Sequence, residues 1–390
     1  QRKINIMKSL DKHVQLKLST LESKKLLRKL TETNRSTSGI TIRDNKKLIS
    51  FACNDYLGLS QNPDVIRAIK ETSNKYGAGA GASRLVTGNN VLYKKLENQL
   101  ADLKGTERAC VFGSGYLANL GIIPSLVGPK DLIVTDQLSH ACIFAGADLA
   151  ESKILTFQHN DINNLEGILK RERSLHQHVM VVTDGVFSMD GDLAPIPELS
   201  KLCKKYDAWL MTDDAHGIGV LGNGRGSNFA FESASEIPLQ MGTLSKAVGS
   251  YGGYLCASKS VIELIKTRAR TLIYSTALPP AIISASISAL NIIKTNPELT
   301  KIPLKNAQFF TSILKLDKAV SPIVPIILGD PERAMNASKI LENKGYLVTA
   351  IRPPTVPEGT ARLRFAFSSE HKIDDIENLA KIVKKNILCN

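Results

Sequence analysis

HVMVVTDGVFSMDGDLAPIPELSKLCKKYDAWLMTDDAHG, residues 178–217, reads as an apolar strand, a helical stretch and a second apolar strand that closes on two aspartates. The strands, HVMVVTDGVF and AWLMTDDAH, are short and apolar without strict alternation, which predicts burial on both faces. The same rhythm recurs in ERACVFGSG (107–115), DLIVTD (131–136), KILTFQ (153–158) and IPLQMGT (237–243). Strands alternating with helices predict an α/β fold, a mostly parallel sheet with helices on both faces. In such sheets functional groups gather at the carboxyl ends of strands, and several of these strands end in Asp, Gly, Ser or His.

Working outward, Pro279 and Pro280 introduce a long helical run. SPIVPIILG, GYLVTAIRP and ARLRFAFS then interleave with the helices ERAMNASKILENKG and KIDDIENLAKIVKK, predicting a smaller α+β domain. Upstream, Leu10, Val14, Leu18, Leu21, Leu26, Leu27 and Leu30 recur at helical spacing among lysines, predicting one amphipathic helix over 8–33. A polar break follows at Asn34–Gly39. ITIRDNKKLISF (40–51) predicts a hairpin turning at Asp44 and Asn45. The expected division is therefore an N-terminal helix and hairpin (1–50), a large domain (51–285) and a small C-terminal domain (286–390).

The chain has 390 residues, 43% hydrophobic and 22% charged, enough for a large core. That excludes disorder, collagen and small disulfide scaffolds. Of the net charge of +13, residues 1–47 carry 13 basic and 4 acidic residues, hence +9. Without interleaved aromatics this basic start predicts a solvated helix face or a dock for an anionic substrate or partner, and no nucleic acid. Cys53, Cys110, Cys142, Cys203, Cys256 and Cys389 include no C-x-x-C pair, so reduced cytoplasmic thiols are expected and no metal. The uncharged run 271–293 is long enough to span a bilayer, but its prolines and hydroxyl residues predict a buried helix after a loop, and no membrane association. The first thirty residues hold no continuous apolar stretch, so no secretory signal is expected, while the basic start leaves organelle import open and Met7 is a candidate native start.

Four local patterns carry chemistry. Gly242-Thr243-Leu244-Ser245-Lys246, followed by a flexible stretch containing Gly249, Gly252 and Gly253, offers an amine for a Schiff base beside hydroxyls that hold a phosphate. A surface turn is the alternative. Asp213-Asp214-Ala215-His216-Gly217 puts a carboxylate at a buried strand end, where it can keep a pyridine nitrogen protonated, or else cap a helix. Gly113-Ser114-Gly115-Tyr116 opens a helix whose free amides favour phosphate. It is not the dinucleotide pattern G-x-G-x-x-G, since Ala118 stands at the last glycine, so a monophosphate is favoured over NAD. His140, after DLIVTD, can lie flat on an aromatic ring. Together they predict pyridoxal 5′-phosphate.

The chain resembles the α-oxoamine synthases among the fold-type-I pyridoxal-phosphate transferases. The resemblance runs through FACNDYLGLS (51–60), GSGYLAN (113–119), DQLSHAC (136–142), TDGVFSMDGDLAP (183–195), DDAHGIGVLG (213–222), LIYSTALPP (272–280) and TAIRPPTVPEGTARLR (349–364). It implies decarboxylative condensation of an amino acid with an acyl thioester. The last stretch looks like that of the members that join L-alanine to a pimeloyl group carried on CoA or acyl carrier protein. GAGASRLVTG (79–88) is closer to a pattern shared across the family, which leaves the glycine-using and serine-using relatives, and an aminotransferase of the same fold, as alternatives.

By resemblance, Lys246 is the Schiff-base lysine, Asp213 pairs with the pyridine nitrogen and His216 binds the phenolic oxygen. His140 stacks on the ring with Ser188 alongside, and Gly115, Tyr116 and Thr243 hold the cofactor, mainly by its phosphate. Asn54 and Arg364 take the amino-acid carboxylate, while Arg28, His140 and Thr355 meet substrate. A homodimer is expected, with Ser275 or Thr276 reaching the partner's phosphate.

Overall fold

The computed structural model describes residues 8–23 and 26–388; Met7, Lys24, Lys25 and Cys389 lie outside them. The leading helix covers Lys8–Ser23 and ends well before residue 33. The Leu26 amide reaches back to the Leu21 carbonyl (2.8 Å), a closure typical of helix ends. No residue of the helix is buried, because nothing among the described residues covers its apolar face. Arg28 consequently lies past the helix, in exposed irregular chain. Part of the expected polar break is a short strand, β1 (Thr33–Arg35), on the edge of the hairpin β2 (Ile40–Arg43) and β3 (Lys46–Ser50). The hairpin turns at Asp44 and Asn45, both at positive φ, as two-residue hairpin loops require.

The main sheet contains β4 (Arg108–Phe112), β5 (Leu132–Asp136), β6 (Lys153–Phe157), β7 (Val179–Asp184), β8 (Trp209–Asp213), β9 (Leu239–Thr243) and β10 (Gly253–Ala257). Their order is β4-β10-β9-β8-β7-β5-β6, parallel except where β10 pairs antiparallel with β4 and β9. Successive side chains point to opposite faces, so Ile133, Met180 and Val182 pack with the helices Gly115–Leu126 and Ala141–Leu149. Leu132, Val134 and Val181 pack on the other side with the helices Ile162–Glu172 and Ile196–Lys205. The glycine stretch expected to be flexible instead delivers β10. A Cβ on Gly253 would lie 2.4 Å from the Ser114 carbonyl oxygen, so glycine here lets the strand pass against the start of the helix at Gly115.

β11 (Ile323–Gly329), β12 (Tyr346–Leu347), β13 (Thr349–Ile351) and β14 (Ala361–Ala366) complete the chain. β11, β14 and β13 form a second sheet, while β12 pairs parallel with β3 and joins the hairpin to this end of the molecule. Along β14, Leu363 and Phe365 enter the small core. Arg362 and Arg364 alternate with them and turn to the loop after β7, where Arg362 pairs with Asp190. The run 271–293 supplies most of a largely buried helix, Pro280–Thr295. No helix among the described residues is long and apolar enough to cross a membrane.

Candidate functional site

A cavity of about 170 Å³ opens at the carboxyl ends of the parallel strands, and its lining includes Gly115, Tyr116, His140, Asp213, His216, Thr243 and Lys246. β9 ends at Thr243, whose hydroxyl donates to the Gly252 carbonyl (2.7 Å) and accepts from the Ser245 amide (3.2 Å). This closes the loop that carries Lys246 inward. Burial pushes the Lys246 amine below its ordinary pKa, against the opposing pull of Asp213 and Asp184.

At the end of β8, Asp213 is buried and both carboxylate oxygens are held. Oδ1 accepts from the Ala215 amide (3.0 Å) and Oδ2 from Asn119 Nδ2 (2.8 Å). His216 follows on the same turn. Burial, reinforced by Lys246 and Arg364, pushes its pKa well down, so the ring is neutral. Lys246 Nζ lies 2.8 Å from His216 Nε2, and His216 Nδ1 lies 2.7 Å from the Tyr56 hydroxyl, so both ring nitrogens are hydrogen-bonded. Tyr56 donates in turn to Asn54 Oδ1 (3.3 Å), and burial raises its pKa to about 12. The same Asn54 oxygen accepts from both terminal nitrogens of Arg364, at 3.1 Å each. A continuous relay thus links the lysine amine to a buried guanidinium.

β5 leads to His140, which caps the helix Ala141–Leu149 through Nδ1, accepting from the Cys142 amide (3.2 Å). Its own amide donates to Asp184 Oδ2 (2.8 Å). Burial, with Lys246 adding to it and Asp213 opposing, lowers the His140 pKa. Asp184, at the end of β7, also lines the cavity, and burial together with Asp213 holds its carboxyl well above the usual range.

The remaining expected residues lie outside the lining of this cavity. Ser188 meets the site through its carbonyl, which accepts from Arg364 Nε. Arg28 and Thr355 are exposed and outside the cavity lining, as is Thr276, which bridges to Ser83. Ser275 also lies outside that lining. Sequence reasoning passed over Asn119, Cys142, Tyr56 and Asp184 as site residues. Each falls inside a stretch that carries the family resemblance, the only local signal they offer.

These groups fit pyridoxal phosphate. An amine, a buried carboxylate for a cationic ring nitrogen and a helix start for a phosphate surround one cavity. At that helix start a Cβ on Gly115 would press on Thr243 (3.3 Å) and Met241 (3.4 Å) in the same wall, so the absence of a side chain keeps the cradle open.

Residues 46–383 match the sequence pattern of the family described as Aminotransferase class I and II. The 8-amino-7-oxononanoate synthase of Beijerinckia indica is 56% identical over 377 residues, 97% of this chain and 98% of that protein. Serine palmitoyltransferase from S. paucimobilis, solved with a bound PLP–myriocin aldimine, superposes with a TM-score of 0.88 at 30% identity over 97% of each chain. For 8-amino-7-oxononanoate synthase from Francisella tularensis the TM-score is 0.76 at 29% identity, covering 88% of this chain and 98% of that one. The fold is that of a fold-type-I pyridoxal-phosphate transferase. The chain belongs to the aminotransferase class I and II family and, within it, to the 8-amino-7-oxononanoate synthases.

Proposed function

We propose that this chain uses pyridoxal phosphate to condense L-alanine with a pimeloyl thioester, on CoA or acyl carrier protein, giving 8-amino-7-oxononanoate, CO2 and free thiol for biotin synthesis. The observation that carries the reading is the relay from Lys246 through His216, Tyr56 and Asn54 to Arg364. It sets a base of lowered pKa and a carboxylate receptor at two ends of one rigid array.

When bound, pyridoxal phosphate supplies an electron-poor ring that accepts the electron pair left at Cα of alanine. Lys246 would provide the amine for its aldehyde and the base for the Cα proton, and burial, which lowers its pKa, favours the neutral amine that both roles need. Asp213 would keep the ring nitrogen protonated, and His216 would meet the phenolic oxygen. The amides of Gly115 and Tyr116, with Thr243, would hold the phosphate. Arg364 and Asn54 fix the alanine carboxylate, since a planar guanidinium matches a carboxylate with two parallel donors. His140 donates to the thioester oxygen as charge develops there.

The serine palmitoyltransferase fold superposes with the higher TM-score, yet 56% identity to an 8-amino-7-oxononanoate synthase weighs more, because substrate choice resides in side chains. We also propose a homodimer. It would cover the leading helix, whose leucines are uncovered, and bring the loop of Ser275 and Thr276 to the neighbouring site. In this reading 1–50 and 286–390 frame the cofactor domain 51–285.

The test is mass analysis of products from alanine, glycine or serine with pimeloyl-CoA and palmitoyl-CoA. The 8-amino-7-oxononanoate mass from alanine and pimeloyl-CoA is expected, and a product only from another pair overturns the substrate assignment. Lys246→Ala is expected to lose the visible band that borohydride bleaches in the wild type.

A further inference from the structure

Asn119, Cys142 and His140 form a chain that neither the expected chemistry nor the comparisons use. Asn119 is fully buried, and its Nδ2 donates both to Asp213 Oδ2 (2.8 Å) and to Cys142 Sγ (3.0 Å). Its Oδ1 has no hydrogen-bond partner among the described residues. Flipping the amide would set that oxygen against the Asp213 carboxylate, so the orientation is determined by its two acceptors. Cys142 Sγ lies 2.8 Å from His140 Nδ1, and the Cys142 amide donates to the same nitrogen (3.2 Å). Burial and the nearby Asp213 hold the thiol protonated, so sulfur accepts from Asn119 and donates its own proton onward.

We infer that Asn119 and Cys142 are positioning residues for the condensation: together they keep His140 Nδ1 as an acceptor, so that Nε2 carries the single ring proton for donation in the cavity. Two donors on one nitrogen leave it no room for a proton of its own. Because Asn119 also grips Asp213, one amide sets the His140 tautomer and the carboxylate in a common frame. The inference rests on the proposed role of His140 as proton donor, but the tautomer is measurable without the reaction.

The experiment is 15N NMR of histidine-labelled, cofactor-free enzyme, with the His140 signals assigned by their loss in His140→Asn. The wild type and Cys142→Ser, which keeps a donor, are expected to show protonated Nε2 and a pyridine-like Nδ1. Cys142→Ala, which leaves the backbone amide as the one remaining donor to Nδ1, is expected to show a larger fraction of the Nδ1-protonated tautomer than the wild type. In the loaded enzyme, kcat of Cys142→Ala should fall about tenfold, with KM for both substrates within about twofold, and Cys142→Ser should recover most of the loss. Protonated Nδ1 in the wild type, or Cys142→Ala indistinguishable from it in tautomer and kcat, overturns the inference. A wild type that shows the expected tautomer but makes no product from alanine and pimeloyl-CoA would instead sink the proposed reaction and leave the positioning intact.

Discussion

His159 sits just past β6, between the carboxylate that ends β5 and one from the loop after β7. Nδ1 is 3.0 Å from Asp136 Oδ1 and Nε2 is 2.7 Å from Asp192 Oδ2, with the Phe187 ring edge-on at 4.4 Å. Burial alone would lower its pKa, but the hydrogen bonds to both aspartates outweigh it and raise the value from 6.5 to about 10. A folded-state pKa above the unfolded one contributes stability that is complete below pH 6.5 and lost as pH climbs through about 10. At about 1.4 kcal/mol per pH unit the rise is worth at most about 5 kcal/mol. The side chain is 21% exposed, and solvent screening reduces this to about 2–3 kcal/mol. Urea midpoints of the wild type and His159→Gln at pH 6 and pH 10 read the effect directly, because the other titrating groups cancel in the difference. The variant is expected to be weaker by about 2–3 kcal/mol at pH 6, with the gap closing by pH 10. A gap that stays constant across that range would mean that His159 is held as a neutral ring, and the argument fails.

Asp213→Asn should retain cofactor binding while kcat falls at least about a hundredfold, checked by cofactor titration beside turnover. Arg364→Lys removes the fork that grips the carboxylate, so KM for alanine should rise about tenfold or more with KM for the thioester nearly unchanged. Lys104 and Asp214 form an ion pair at 2.6 Å with side chains only 1% and 2% exposed. Lys104→Met strands the aspartate and should cost about 3–5 kcal/mol in urea unfolding.

The strands of the main sheet and the turn at Asp44 and Asn45 were legible because strand burial and hairpin chemistry are written in neighbouring residues. Lys246, Asp213, His216 and His140 were legible because each closes or follows an apolar strand. β10 was hidden by its glycines, which serve close packing against Ser114 rather than flexibility. The leading helix was overextended because leucine periodicity continues through Leu30 although no partner surface among the described residues sustains it.

Apolar periodicity and strand-end chemistry, properties of consecutive residues, were enough to determine an α/β chain with a lysine and a carboxylate prepared for a pyridine ring. Folding alone decided that Asn119 would meet Asp213 across 94 positions of chain and that Arg364 would reach Asn54 across 310. It also left Arg28 and Thr355 in solvent. Such distant pairings depend on how helices pack across the sheet and how the small domain docks, and no local pattern encodes that distance.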